Sequence, residues 1–349
     1  MSVSVENLSV AYRSRHGDVT AVDNVTFTLA DGEIMGLAGE SGSGKSTLGN
    51  ALIYLDPRMK QTGGKVRLDG KELPITDSKA MRPLRMTEVS LVPQYAMSAL
   101  PPTKKIGKLT SDLLKSHGVR NQDEVLAEMK RRIALIGLKE DVLSKYSFEM
   151  SGGMRQRVTI IISTLLNPSL LIADEVTSAL DVSTQRAVGE MLLEFRDREF
   201  IKSAITITHD LSILAQIADS IAIMYAGRLA EKASTGSIVN EPLHPYTKAL
   251  IASLPEVGVR HDQTTLTGIP GRPPSLVNPP AGCRFRDRCP FAFAKCTETP
   301  PFEEVKPGHH VACWKVTEEL AGASVASPAM ATVAAGSAAD SASVGEEAK

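Results

Sequence analysis

The stretch Gly39-Glu40-Ser41-Gly42-Ser43-Gly44-Lys45-Ser46 follows the spacing G-x-x-x-x-G-K-S, a loop composition suited to wrapping the phosphates of a nucleotide. Glycine lets successive backbone N–H groups curl round the β- and γ-phosphates. Lys45 supplies a point charge, the Ser46 hydroxyl a Mg²⁺ ligand, and a helix opening at Lys45 the positive end of its dipole. The apolar run Glu33-Ile34-Met35-Gly36-Leu37-Ala38 before the loop suits a buried strand, and Lys45 to Leu55 can continue as a helix. Strand, loop and helix therefore come in the order the chemistry needs. A Gly/Ser-rich linker matching by chance is the alternative, and the residues further along argue against it.

Three other segments end in residues able to act on phosphate, metal or water. Leu170-Leu171-Ile172-Ala173 is a fully apolar run, suited to the centre of a parallel sheet, capped by Asp174 and Glu175. One carboxylate can hold Mg²⁺ through water while its neighbour, pointing the other way, orients and deprotonates the hydrolytic water. Val89 to Pro93 reads as a strand ending at Gln94, which could reach the metal and the attacking water from the far side, although one Gln after a strand carries no signal alone. A third apolar strand, Ala204 to Ile207, leads to His209. A lone His is usually structural, but this one terminates a strand beside two others that end in phosphate and metal ligands. In Met150-Ser151-Gly152-Gly153-Met154 two glycines open a helix carrying Val158, Ile161, Ile162, Leu165 and Leu166, which makes a second anion-binding helix N-terminus. Tyr12 lies at a strand end, where an aromatic could stack on adenine and where ordinary packing is an equal alternative.

The elements that must position these residues are legible in outline. Val3 to Val10 alternates apolar and polar residues and reads as an edge strand, joined by the polar turn Arg13 to Asp18 to a second strand at Val25 to Leu29. Gly64 to Leu73 is a further β-like patch turning at Asp69-Gly70. From Ile106 to Leu143 the spacing becomes helical, as expected of an inserted helical unit. Asn167-Pro168 stops the helix that opens at Gly152, and Asp181 precedes another. A length of 349 residues allows two domains, and 42% hydrophobic with 23% charged residues is ordinary for a globular chain. A net charge of −1 excludes the strongly basic face of a dedicated nucleic-acid binder. No apolar run approaches the roughly 18 residues that span a bilayer, and Met1 to Glu6 lacks the features of a secretion signal. A cytoplasmic location follows, with membrane work possible only by docking on other subunits.

Over roughly residues 1 to 255 the ordered motifs resemble the ATP-binding subunits of ABC transporters, and Ser151-Gly152-Gly153 is the signature that separates this family from other P-loop NTPases. The resemblance implies that Tyr12 stacks on adenine and that Gly39, Ser41, Gly42, Gly44, Lys45, Ser46 and Thr47 hold phosphates and Mg²⁺. It implies that Gln94 senses the γ-phosphate and, with Ser46, ligates Mg²⁺, that Asp174 supports Mg²⁺, that Glu175 is the general base and that His209 contacts the γ-phosphate. Ser151, Gly152 and Gly153 would act on the ATP of a partner domain and Asp181 would lie at the dimer seam, so one chain is half of a working unit. Met150 and Met154 replace the family's Leu and Gln, and neither removes a phosphate donor.

Beyond a hairpin at Ile223 to Arg228, Glu241 to Leu250 resembles the extension that follows the ATPase core in oligopeptide and dipeptide importers. All 4 cysteines then fall in one window, Cys283, Cys289, Cys296 and Cys313. A reducing cytoplasm disfavours disulfides, which leaves metal or inert thiols. The irregular gaps suit a [4Fe–4S] cluster better than the paired cysteines of structural zinc, and related peptide importers carry such a cluster. His309 and His310 nearby are read as surface residues. Because the nucleotide motifs lie elsewhere in the chain, loss of a cysteine is expected to spare nucleotide binding. Residues 321–349, rich in Ala, Ser, Gly and Val, are expected to be disordered.

The expected architecture is an α/β P-loop NTPase in residues 1–235, with an ABC-type helical subdomain at about 96–155, and a small Cys-rich metal-cluster domain within 236–320. The expected function is powering uptake of oligopeptides or dipeptides with ATP, Mg²⁺ and the cluster as cofactors, at the cytoplasmic face of the membrane. Its partners would be two membrane-spanning permeases, a second, non-identical ATPase and an extracytoplasmic binding protein, without nucleic acid. An oligosaccharide importer of the same subfamily is the main alternative, because Tyr95 to Pro102 departs from the peptide systems' usual pattern; a non-transport ABC ATPase is a further one.

Overall fold

The computed structural model describes residues 3–15, 17–54, 56–178, 180–253 and 268–325. Strand β1 (Val3–Tyr12) turns back into β2 (Val19–Leu29), β3 (Ile34–Ala38) runs into the phosphate loop, and β4 (Met59–Leu68) with β5 (Lys71–Glu72) returns to the first hairpin. Then come β6 (Val89–Val92), β7 (Leu170–Asp174), β8 (Ser203–Ile207), β9 (Ser220–Tyr225), β10 (Arg228–Ser234), β11 (Glu303–Lys306) and β12 (His309–Val311). They form an antiparallel sheet of order β2-β1-β4-β5 and a second sheet of order β11-β12-β10-β9-β3-β8-β7-β6, parallel from β9 to β6. β1 is not the edge strand that its alternation suggests, since β2 pairs with one side and β4 with the other. Alternation reports which face is buried and is silent about whether both edges are paired.

Successive residues of the parallel strands feed opposite cores. Leu170 and Ile172 of β7 join Ile205 and Ile207 of β8 in packing with the helix Lys45–Ile53 and the antiparallel sheet. Leu171, Ala173 and Ala204 face the other way, onto the helices Gly152–Thr164, Val182–Asp197 and Leu211–Ile217. With both faces covered, β3, β7, β8 and β9 are buried at every position. Each fully buried Leu or Ile contributes roughly 1.5–3 kcal/mol, so these strands form a stiff platform and the loops at their ends are free to carry polar groups.

Between β6 and β7 the helical insertion forms, built chiefly of Ile106–Ser116 and Gln122–Leu135. Arg132, only 1% exposed, ties it to the end of the helix Gly152–Thr164. Its guanidinium donates to the Thr164 carbonyl at 2.7 Å, Asn167 Oδ1 at 2.6 Å and Glu128 Oε1 at 3.0 Å, and lies 3.8 Å from the Phe200 ring centre.

The segment after β10 is joined to the catalytic sheet: β12 pairs with β10, with Glu231 opposite Val311. Glu231 is wholly buried and accepts hydrogen bonds from the backbone N–H groups of Leu243 (2.7 Å) and His244 (3.0 Å), while His309 Nε2 lies 2.6 Å away. Burial alone would raise the Glu231 pKa, but these bonds outweigh it and hold the carboxyl below its ordinary value. His309 is therefore buried, contrary to its surface reading, because a buried carboxylate needs its partner. The last helix, Trp314–Val325, continues past the boundary expected for the tail, and residues 326–349 lie outside the described residues.

Candidate active site

The strand order places β8 between β3 and β7, with β6 beyond β7, so four loops meet at the C-terminal edge of one parallel sheet. This edge is where α/β sheets bind ligands. The loop after β3 carries Gly39 to Ser46, β7 ends at Asp174 and is followed by Glu175, β8 leads to His209 and β6 leads to Gln94.

Gly39 (φ 142°) and Gly44 (φ 103°) have backbones that L side chains rarely adopt, and a Cβ at either would run into a main-chain carbonyl, of Met224 and Ala21 respectively. The loop can curl this tightly only with glycine there. Lys45, 6% exposed, folds back so that Nζ donates to the carbonyls of Gly39 (2.8 Å) and Glu40 (2.9 Å). Burial lowers the Lys45 pKa, opposed by the charges of Glu175, Asp174 and Glu40, which mark the surrounding field as one that favours a cation.

Ser46 Oγ donates to Asp174 Oδ1 at 3.1 Å, which brings the two expected metal-side residues together across the loop and β7. Burial raises the Asp174 pKa and the neighbouring Glu175 charge adds to this, while the Ser46 hydrogen bond and Lys45 oppose it. Glu175 sits at φ 47°, a left-handed backbone unusual for a glutamate, with its N–H donating to the Ile207 carbonyl at 2.8 Å. That turn sends the second carboxylate away from the first. Gln94 Nε2 donates to Glu175 Oε2 at 2.9 Å, and His209 Nδ1 lies 3.5 Å from Glu175 Oε1. The candidate base is thus held by the two side chains expected to share the γ-phosphate with it. Tyr12 Oη lies 3.2 Å from Thr47 Oγ1, at the adjoining end of β1.

The signature residues make their contacts outside this constellation. Ser151 caps the helix Gly152–Thr164 by accepting from the Met154 N–H at 3.3 Å, and Gly153 packs against Thr184. Asp181 caps the helix Val182–Asp197, accepting from the Ser183 hydroxyl, the Thr184 hydroxyl at 2.7 Å and the Thr184 N–H at 3.0 Å, and these bonds, that of Ser183 first, hold its pKa well below the ordinary carboxylate range. Sequence reasoning missed the partners of Glu40. Arg288 grips its carboxylate through two hydrogen bonds, of 2.6 and 2.9 Å, and Tyr246 Oη accepts from its N–H at 2.8 Å. An acidic residue in a phosphate loop, with no cation within it besides Lys45, was the available signal.

Comparison with known proteins agrees with this geometry. Residues 22–178 match the family described as ABC transporter, and residues 230–296 match the one described as oligopeptide/dipeptide transporter, C-terminal region. The dipeptide transport ATP-binding protein DppD of Caldanaerobacter subterraneus subsp. tengcongensis is 39% identical over 89% of this chain and 96% of its own length. The oligopeptide transport ATP-binding protein OppD of Escherichia coli is 38% identical over 91% of this chain and 94% of its own. The chain belongs to the ABC transporter ATP-binding family. Among solved structures, the dimeric bacterial ABC transporter cassette MJ0796 superposes with a TM-score of 0.59 at 25% identity, covering 67% of this chain and 98% of that one. As a member of this family the chain is an ATPase coupled to transport. Among the described residues no helix is long and apolar enough to cross a membrane.

Among the described residues no group of three or more His, Cys, Asp or Glu side chains has the arrangement of a metal site, so the expected metal-cluster domain is not supported by the fold. Cys283, Cys289, Cys296 and Cys313 nonetheless line one small cavity together with Phe285 and Trp314. Burial raises the Cys283 thiol to about 11 and pushes Cys289 and Cys313 upward as well, so these three pack as neutral, weakly polar side chains.

Proposed function

We propose that the chain is the ATP-hydrolysing subunit of an importer for oligopeptides or dipeptides. It sits on the cytoplasmic face of the cell membrane beneath two permease subunits, beside a second, homologous but non-identical ATPase, and is fed by an extracytoplasmic substrate-binding protein. The observation that carries this reading is that the region matched to oligopeptide/dipeptide transporters, residues 230–296, is joined through β10 to the sheet that bears the phosphate loop.

In this reading the loop amides, Lys45 and Thr47 hold the ATP phosphates and Tyr12 faces the adenine. Ser46, Asp174 and Gln94 would hold Mg²⁺, whose charge neutralises the β- and γ-phosphate oxygens. Glu175, steadied by Gln94 and His209, takes the proton of the water that attacks the γ-phosphate, and ADP and phosphate leave. Ser151, Gly152 and Gly153 complete the partner's site with Asp181 at the seam. A cavity of about 450 Å³, lined by Tyr54, Leu91, Leu100, Leu109, Leu113 and Ile162, suits an apolar helix of a permease.

The test is reconstitution with permeases and binding protein in vesicles. Oligopeptides or dipeptides should stimulate ATP hydrolysis and accumulate, and stimulation by an oligosaccharide but by no peptide would overturn the cargo assignment. We also infer that the four cysteines carry a [4Fe–4S] cluster, with zinc as the alternative, supported by their sharing one cavity. Anaerobically purified protein should be brown with about four irons and four sulfides per chain, and finding neither element refutes the cluster.

A further inference from the structure

Glu40 is the second residue of the phosphate loop, and residues far along the chain hold it on two sides. Its N–H donates to Tyr246 Oη at 2.8 Å, and its carboxylate takes the fork of Arg288, Nη1 to Oε2 at 2.6 Å and Nη2 to Oε1 at 2.9 Å. Arg288 spends its remaining donors on neighbours that fix it in place: Nε on the Pro270 carbonyl (2.7 Å), Nη1 on Tyr225 Oη (3.1 Å) and Nη2 on the Ile269 carbonyl (3.2 Å). All five guanidinium N–H groups thus have acceptors, and the side chain is 6% exposed. Tyr246 is wholly buried, its ring 4.5 Å from that of Tyr225 and 5.4 Å from that of Phe285. With Arg288 buried and all its donors used, and Glu40 still 23% exposed, the pair is a part-buried clamp with fixed geometry, distinct from a mobile surface ion pair.

A carboxylate is a poor neighbour for incoming phosphates. Its charge also reaches Lys45, the cation that must meet the β- and γ-phosphates. We propose that Arg288 and Tyr246 are positioning residues for ATP binding: Arg288 cancels the charge of Glu40 and Tyr246 pins its amide, so that the C-terminal region sets both the charge and the shape of the phosphate loop. Arg288 ends the short helical turn Arg286–Arg288, immediately before Cys289. Disturbing the cysteine loop therefore reaches the nucleotide site, contrary to the expectation from sequence that the two are independent.

The experiment measures ATP and ADP dissociation constants in the assembled transporter for R288Q, R288K, Y246F, E40Q and E40Q/R288Q, with a melting curve for each. R288Q should weaken ATP about tenfold, a difference of about 1.4 kcal/mol, and should weaken ADP less because ADP brings less charge. E40Q/R288Q should recover most of that loss, and E40Q alone should bind ATP more tightly than the parent chain. Y246F, which keeps the buried ring, should lose about threefold. Parent-like ATP affinity in R288Q, an equal loss for ATP and ADP, or no recovery in the double variant would each overturn the proposal. Should R288Q fail to fold, R288K decides: retained charge predicts a loss of at most about threefold, and a tenfold loss in a folded R288K refutes the charge role.

Discussion

Asp174 is held in an environment that disfavours its own charge. Burial raises its pKa in the folded chain, and such a group contributes stability below its ordinary pKa that is lost as pH rises through the raised value. The site keeps the aspartate for the cation it would face, with the Ser46 hydroxyl already turned towards it. Asp174→Asn should therefore melt higher than the parent chain, with the gap opening between pH about 4 and pH 7, while Mg²⁺-dependent ATP binding is lost. Melting curves across that range, without nucleotide, check this, and a gap that closes with rising pH would contradict it. At this scale the sequence was informative wherever a motif specifies one residue at one spacing: Lys45, Ser46, Gln94, Asp174, Glu175 and His209 do converge. It was silent about Arg288 and Tyr246, because their partner Glu40 lies more than 200 residues away and no local pattern encodes such a pairing.

Elements were legible where periodicity is strong. The apolar runs of β3, β7 and β8 and the helical spacing between Ile106 and Leu143 reappear as strands and helices, because a continuous apolar run and a 3.6-residue period each admit one burial solution. Pairing was not legible, and β1 proved central because β4, some fifty residues on, closes its second edge. The four cysteines show a similar limit, since gaps of five, six and sixteen residues say nothing of how burial tunes the thiols. Arg132 is the element-scale tie that sequence could not name, joining the helical insertion to the far end of the signature helix. Arg132→Ala removes these bonds and the stacking on Phe200 and leaves the Thr164 carbonyl with the Asn167 N–H as its donor, so it should destabilise the chain by about 3 kcal/mol in chemical denaturation. A loss under about 0.5 kcal/mol would show that the tie is incidental.

At the scale of the whole molecule, the signature helix packs on β6 through its body, Ser90 donating to the Ser163 carbonyl, while the signature residues at its N-terminus make their contacts away from Glu175 and Asp174, Ser151 with Met154 and Gly153 with Thr184. Ser151 is exposed and its hydroxyl serves as a helix cap, while Val182, next to Asp181, is 81% exposed. That arrangement suits a surface completed by another ATPase. The isolated chain should hydrolyse ATP slowly, with specific activity rising with protein concentration or on assembly with the permeases; a dilute monomer already at full activity would rule out shared sites. The C-terminal region belongs to the same mechanical unit, through Arg288 on Glu40 and Arg284 on Asp23 of β2. Glu175, held in place by Gln94 and His209, is the proposed base. The deciding measurement is ATP turnover by the assembled transporter carrying Glu175→Gln, alongside equilibrium ATP binding. Turnover should fall by a factor on the order of 10² or more with ATP binding retained, and near-parental turnover in that variant would contradict the account.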